Sequence, residues 1–230
     1  MHRIDEIYTD LPYYGAIKIT EQLKRDGYPV NHKRIERLMK EMGIEAIRPK
    51  KRTSIPDEQH RKFPYLLSGI KAQHPNHIWG TDITYIRAAG TWFYLVALLD
   101  WYSRYVISWM LSETMTADFC VANLVQALTH AQPDIHNSDQ GSQFTSEDYL
   151  TVLEARPSIR ISMDGRGRCW DNIMNERLWR SVKHEEVYLK DYQSFAEAQT
   201  ELGGYFTTYN ERRLHQSLNY QPPAEVYFTN

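Results

Sequence analysis

The stretch WGTDITYI, residues 79–86, decides the fold because it places an acidic residue in the middle of a β-strand. β-Branched residues surround Asp82 and favour extended backbone, and their alternation turns Asp82 to one face of the strand. A carboxylate in mid-strand is costly to bury unless it is paired or binds a metal ion. The pattern therefore predicts a strand from about Ile78 to Arg87 with Asp82 as a site residue.

Two further acids lie in stretches that predict the end of a strand and a helix. Asp139, in HNSDQGSQFTS, follows a short apolar stretch and precedes a glycine, which predicts a strand end, where functional residues are often placed. Glu176 lies in a run from Asn172 to Asp191 that has no Pro or Gly and therefore predicts a helix. Asp171 or Asn172 is the expected N-cap, which would place Glu176 in about the second turn.

Asp82, Asp139 and Glu176 together are the predicted catalytic and metal-binding residues. Mg²⁺ prefers a few carboxylate oxygens and keeps positions open for water and phosphate, and Mn²⁺ is expected to substitute for it. Two ions about 4 Å apart would assist in-line phosphoryl transfer. Arg180 and Lys183 follow Glu176 by four and seven residues, so they share its helix face and are candidate contacts to a polyanionic substrate.

Five motifs distributed along the chain carry a family resemblance. They are WxTDITYI at 79–86, LLDxxSR at 98–104, SDQGSQFTS at 138–146, GRCWDNxxxE at 167–176 and YNxxRxHxSL at 209–218. On these residues the chain resembles the integrase-like second-frame transposases of the insertion sequence three family. That family belongs to the DDE superfamily, which includes retroviral integrases. One spacing departs from the family pattern: 36 residues separate Asp139 from Glu176, where the family usually has 35, and the extra residue is expected within Glu154–Ser158.

The resemblance implies a fold, an activity and partners. The expected fold is α/β, an RNase H-like mixed five-stranded sheet with flanking helices. The expected enzyme is a DNA transposase that cleaves insertion-element ends and joins their 3′ hydroxyls to DNA. It also implies a homo-oligomer on DNA and an upstream-frame product with a helix-turn-helix and a leucine zipper, joined by frameshifting. Two alternatives stay open: a non-catalytic DNA-binding regulator or truncated inactive copy, and an RNase H-like nuclease that cuts without joining.

The net charge of −2 is the sum of a basic N-terminal region and an acidic remainder. Residues 1–64 carry a net charge of +4 and the remainder −6. Helical spacing of apolar residues from Gly15 to Arg25, and again after a predicted Asn31 N-cap to Gly43, predicts a helix-turn-helix. The second helix offers cations to DNA phosphates or bases, with a solvated basic helix as the plainer interpretation. These cations are Lys33, Arg34, Arg37 and Lys40.

Composition patterns divide the chain into four predicted segments. They are a small all-α helix-turn-helix-like domain at 1–47, a linker at 48–72, the catalytic core at 73–190 and a helical C-terminal extension at 191–230. In the core we expect two more strands, Thr91 to Leu99 and Tyr105 to Leu111, and in the extension we expect the YNERRLHQSL segment to be helical. Asp100 is interpreted as structural, through pairing with Arg104.

Cysteine usage and hydropathy argue against a disulfide-stabilised protein, a zinc protein and a membrane-spanning protein. Two cysteines provide neither a disulfide framework nor a zinc motif. The longest apolar run, Phe93 to Leu99, is far too short to cross a bilayer, and no signal peptide is evident. A cytoplasmic protein without a membrane partner is therefore expected.

Overall fold

The computed structural model describes residues 1–47, 61–165 and 173–229. The chain forms two compact units, Met1–Asp57 and Glu58–Asn230. Most of the predicted linker lies outside the described residues. So do the capping residues Asp171 and Asn172 that were proposed for the Glu176 helix.

The N-terminal unit contains three helices, α1 (His2–Asp10), α2 (Ala16–Arg25) and α3 (His32–Glu41). The Asn31 side chain accepts a hydrogen bond from the Lys33 backbone N–H, which confirms the predicted N-cap of α3. A small apolar core holds the helices together, formed by Ile4, Ile7, Ile19, Leu23, Ile35 and Met39. The two predicted helices are present, whereas α1 was not predicted, because it contributes only two buried apolar residues to the pattern.

The second unit is built on one mixed five-stranded sheet with strand order β3-β2-β1-β4-β5. Strand β2 (Thr91–Asp100) pairs antiparallel with both β1 (Ile78–Ala88) and β3 (Val106–Ser112). Strands β4 (Ile135–Ser138) and β5 (Arg160–Met163) extend the sheet in parallel from β1. The predicted α/β fold with a five-stranded mixed sheet is therefore confirmed.

Helices cover both faces of this sheet. On one face α4 (Asp118–Leu128) and α5 (Glu147–Glu154) pack over a cluster that includes Trp79, Val96 and Leu98. On the other face α6 (Ile173–Glu185) and α7 (Phe195–Glu211) pack over a cluster formed with β1 and β2. Asp82 has the same strand parity as Ile86 and Ala88 of the second cluster, so it faces α6.

The C-terminal end of the chain differs from its prediction. Helix α7 ends at Glu211, and the rest of the YNERRLHQSL segment forms a bend, a single β-bridge and a 3-10 turn at Gln216–Leu218. The short α8 (Pro223–Phe228) follows. Side-chain contacts overrode the local helical pattern here, because Arg213 turns back to make a bidentate ion pair with Glu185 of α6.

Candidate active site

Asp82 lies on the face of β1 that α6 covers, and two donors orient its carboxylate. The Trp179 indole N–H of α6 donates to Oδ2 at 3.0 Å. The Ile83 backbone N–H donates to Oδ1 at 2.9 Å. A hydrogen-bonded carboxylate of this kind keeps one rotamer, which is the first requirement for a preorganised site.

Asp139 follows β4 directly, and the strand register brings it beside Asp82. Gly80 of β1 pairs with Asn137 of β4, and the two strands run in parallel. Continuing two residues along each strand leads to Asp82 and Asp139, with both side chains on the same face. The predicted position of Asp139 at a strand end is confirmed.

A turn after β4 holds the Asp139 carboxylate in place. The Gly141 backbone N–H donates to Asp139 Oδ1 at 2.8 Å. A Cβ at Gly141 would lie 2.9 Å from the same oxygen, so this close approach requires glycine. The Asp139 carboxylate keeps contact with solvent, yet the surrounding protein still raises its pKa.

Glu176 lies in the first turn of the described part of α6, which begins at Ile173, and the predicted N-cap residues lie outside the described residues. The preceding residue, Asn175, is fully buried and accepts a hydrogen bond from the Trp101 indole N–H at 3.1 Å. Both side chains pack directly over Gly80, where a Cβ would lie 2.2 Å from Trp101 Nε1 and 2.4 Å from Asn175 Oδ1. A glycine in β1 therefore lets the start of α6 approach the sheet next to Asp82.

The three carboxylates concentrate negative charge. Burial is the largest cause that raises the pKa of Asp82 to about 7; the Asp139 charge is next, and the Glu176 charge adds to it. The hydrogen bonds from Trp179 and Ile83 lower this pKa but do not offset the other causes. Such a cluster is stabilised when a cation neutralises it.

The donor chemistry fits a hard divalent cation, although the acids are not gathered into a closed ligand set. Among the described residues, no group of three or more His, Cys, Asp or Glu side chains is arranged to hold a metal ion. The charge of Asp139 acts on Asp82 more strongly than the charge of Glu176 does. Carboxylate oxygens are the ligands that Mg²⁺ and Mn²⁺ prefer.

Asp100 at the end of β2 is not part of this cluster. Its carboxylate accepts hydrogen bonds from the Ser103 N–H at 2.8 Å, the Ser103 hydroxyl at 2.6 Å and the Asn76 N–H at 2.8 Å. Arg104 attracts it electrostatically, but no ion pair joins the two side chains in the part of the chain that the structure describes. Asp100 is therefore structural, as predicted, through a turn rather than through the Arg104 pair.

The predicted DNA-contacting cations divide between the two units. Arg180 is exposed on α6 and Lys183 is half-buried there, and neither makes an ion pair with a described residue. The four cations of α3 are exposed in the N-terminal unit, where Arg37 lies 3.4 Å from Glu41. These four are Lys33, Arg34, Arg37 and Lys40.

Three residues that support the acids were not identified from the sequence. Trp179 was interpreted as core, and it is only 6% exposed, yet its N–H reaches Asp82. Its position three residues after Glu176 on one helix face was the available signal. Gly80 and Asn175 lie close to residues of the recognised motifs. Nothing in their spacing along the sequence predicts that Gly80 and Asn175 are in contact with each other.

Comparisons with known proteins assign the N-terminal unit to an HTH-like domain and the second unit to an integrase core domain. A family model described as an HTH-like domain matches residues 1–52, and models described as integrase core domain match residues 72–169 and 157–223. The chain is 33% identical over 229 residues to a putative transposase for insertion sequence element IS150 of Escherichia coli, covering 97% of this chain and 81% of that protein. It is 33% identical over 219 residues to the transposase for insertion sequence element IS904 of Lactococcus lactis, covering 92% and 86%.

Solved structures share the fold at lower identity. The structure of a simian T-cell lymphotropic virus intasome bound to a phosphatase regulatory subunit matches with a TM-score of 0.61 at 16% identity, covering 99% of this chain and 75% of the matched chain. The catalytic core domain of HTLV-2 integrase in complex with magnesium matches with a TM-score of 0.56 at 20% identity, covering 68% and 99%. Within the described ranges, no helix combines the length and the apolar character needed to cross a membrane.

Proposed function

We infer that Asp82, Asp139 and Glu176 are the reaction centre of a DNA strand transferase, because this chain belongs to the family of integrase-core transposases of insertion elements. The family makes the chain a polynucleotidyl transferase. The observation that carries the assignment to these residues is that the largely buried Asp82 carboxylate faces the charges of two other acids, Asp139 and Glu176. A buried acid kept among other acids is unfavourable for folding and is typical of a site that binds a cation.

The carboxylates would hold Mg²⁺, for which Mn²⁺ would substitute, with two ions when DNA is present. Bound there, these ions would supply polarisation of the attacking oxygen and stabilisation of the leaving oxygen. Trp179 and the Ile83 N–H fix the Asp82 carboxylate, and the Gly141 N–H fixes that of Asp139, so the oxygens need little reorganisation. The HTLV-2 core solved with magnesium supports this choice of metal.

The DNA substrate would lie along α6. Arg180 and Lys183 follow Glu176 on the same face of the helix and would bind phosphates on either side of the cleaved bond. In the first step water breaks a phosphodiester at the element end and leaves a 3′ hydroxyl. In the second step that hydroxyl attacks a phosphodiester of the target DNA, whose own 3′ oxygen leaves, so no covalent protein intermediate is needed.

Partners follow from the same assignment. The exposed cations of α3 would bind the terminal repeats of the element through phosphates and base edges. We expect a homo-oligomer on DNA, because two element ends must be joined together. An upstream-frame product fused to the chain would add a further helix-turn-helix and a leucine zipper.

The test uses the purified chain and labelled oligonucleotides copied from the ends of its own element. We expect joined products that require Mg²⁺ or Mn²⁺ and that Asp139→Asn abolishes. Lys183→Ala should weaken binding of the ends while metal binding is retained. Cutting without joining would support a nuclease instead, and binding without cutting would support a regulator or a dependence on the upstream frame.

A further inference from the structure

Four aromatic rings lie at the surface near the hairpin between β1 and β2. Tyr85 is 48% exposed and Trp92 is 55% exposed on this hairpin, and Tyr94 is half-buried beside them. Tyr188, just after α6, is 65% exposed. Large rings are costly to leave in water, and a contiguous exposed group of them marks a binding surface.

These rings line an open groove of about 950 Å³. Tyr85 contacts Tyr94 edge-on, with ring centroids 5.4 Å apart and planes at 63°. It contacts Trp92 in the same manner, at 6.5 Å and 89°. Because the hairpin strands hold Trp92 and Tyr94 against Tyr85, the ring faces are fixed before a ligand arrives.

The groove carries two cations that form no ion pair with any described residue, beside one acid of the lining, Asp191. These two cations are Arg87 and Lys183. Lys190 also lines it but is paired with Glu186 and Glu201. Two uncommitted positive charges beside exposed rings are complementary to a ligand that has both phosphates and flat apolar faces.

The groove adjoins the acids. Lys183 follows Glu176 by two turns of α6, about 10 Å along the helix axis. Tyr85 follows Asp82 by three residues of β1, about 10 Å along the strand, and its side chain lies on the opposite face of the sheet, so the groove reaches the acids around the free edge of β1. Strand β4 pairs with β1 only from Ile78 to Gly80, so within the described residues the remaining edge of β1 leads without obstruction by β4 from the acids to the groove.

We propose that this groove binds unpaired nucleotides of the element's terminal strand, next to the phosphodiester that is cleaved; this rests on the proposed function. Base faces are hidden inside a duplex, so the rings can stack only on bases that have left it. Arg87 and Lys183 bind the backbone phosphates of the same strand. The site therefore stabilises a frayed DNA end during cutting.

The experiment measures DNA binding without metal ions, so that it does not depend on catalysis. Fluorescence anisotropy of a labelled oligothymidylate of about 12 nucleotides, within the usual range of single-strand sites, is compared with that of a duplex of equal length in EDTA. We expect Trp92→Ala to weaken oligothymidylate binding roughly 5- to 150-fold, the loss of one stacked base. Duplex binding should change less than twofold.

Two control variants separate stacking from general damage. Trp92→Phe keeps an aromatic face and should retain most of the single-strand affinity. Tyr220→Ala removes a ring that is 63% exposed outside the groove and should leave both affinities unchanged. Equal affinity of Trp92→Ala and the parent for oligothymidylate would overturn the proposal, as would equal losses for single strand and duplex.

A third measurement separates this proposal from the proposed function. If the parent chain neither cuts nor joins element ends while Trp92-dependent oligothymidylate binding persists, the groove is supported and the strand-transfer assignment fails. If the parent joins ends and Trp92→Ala joins blunt and pre-frayed ends as well as the parent does, the groove proposal fails alone. A dimer that Trp92→Ala dissociates, with single-strand affinity unchanged, would assign the groove to a second copy and overturn it.

Discussion

Asp82 and Asp100 lie on neighbouring strands of one sheet, but their surroundings differ in kind. Three hydrogen bonds from Ser103 and Asn76 surround the Asp100 carboxylate. Asp82 receives two hydrogen bonds and faces the charges of Asp139 and Glu176. Burial raises the pKa of both, so a raised pKa does not by itself distinguish a functional acid from a structural one. The distinction lies in whether donors or other acids surround the carboxylate.

The largest effect should come from removing the charge of Asp82. Asp82→Asn should lower the rate of DNA joining by at least about 1,000-fold, because it removes a ligand for a metal ion that contributes several kcal/mol to transition-state stabilisation. Single-turnover assays on element ends measure this. Asp100→Asn is the matched comparison, and its joining rate per folded molecule should stay within about tenfold of that of the parent. Equal losses of joining rate in the two variants would contradict the proposed difference between Asp82 and Asp100.

Asp100 should instead matter for stability. Asp100→Ala leaves the buried N–H groups of Ser103 and Asn76 without an acceptor and should cost about 3 kcal/mol of unfolding free energy. Urea denaturation followed by circular dichroism measures the loss. Glu113→Ala, at an exposed acid, should change the unfolding free energy by less than about 0.5 kcal/mol. A loss of unfolding free energy below about 1 kcal/mol for Asp100→Ala would show that the three hydrogen bonds do not offset the cost of burying this aspartate.

Removing the hydrogen bond from Trp179 to Asp82 should have a smaller effect on joining than removing the charge of Asp82. Trp179→Phe keeps most of the ring but loses the N–H that orients Asp82, and it should lower the joining rate about 10- to 100-fold. Trp109→Phe is a suitable control because Trp109 packs against Phe206 and its indole donates no hydrogen bond to a described residue. Activity of Trp179→Phe equal to that of the control would leave Trp179 with a packing role only.

The smallest expected effect is a gain in stability. Asp139→Asn removes one of the charges that raise the pKa of Asp82, while its amide oxygen can still accept from Gly141. Without metal ions the variant should be more stable than the parent by about 1 kcal/mol, or 2 to 4 °C in Tm. Calorimetry in EDTA tests this. An unchanged or lower Tm would indicate that the acids do not strain the metal-free fold.

The sequence predicts the positions of the three acids better than the contacts that support them. Alternation around Asp82 and the apolar stretch before Asp139 are local signals, and each element formed where the pattern predicted. The contact between Trp179 and Asp82 joins residues 97 positions apart and depends on where α6 crosses β1, which local patterns do not determine. The same reason explains the exposed rings of Tyr85 and Trp92, because the enrichment of aromatic residues in strands does not indicate which face of the sheet meets solvent.

Two local predictions failed for identifiable reasons. The helix expected through the YNERRLHQSL segment stops at Glu211, because the Arg213 ion pair with Glu185 and the paired hydrogen bonds of Asn210 to Val106 bind this segment to the sheet unit. Helix α1 was missed because two buried isoleucines give too short a repeat to identify. Only the first case is one in which tertiary contacts outweigh local propensity.

Iron-directed cleavage of the protein backbone tests the central claim most directly. Fe²⁺ can replace Mg²⁺ at carboxylate sites, and with ascorbate and peroxide it cuts the chain beside the bound ion. The account predicts cuts near Asp82, Asp139 and Glu176 that excess Mg²⁺ suppresses and Asp139→Asn abolishes, with none at Asp100. Cuts at Asp100, or a pattern unchanged in Asp139→Asn, would contradict it.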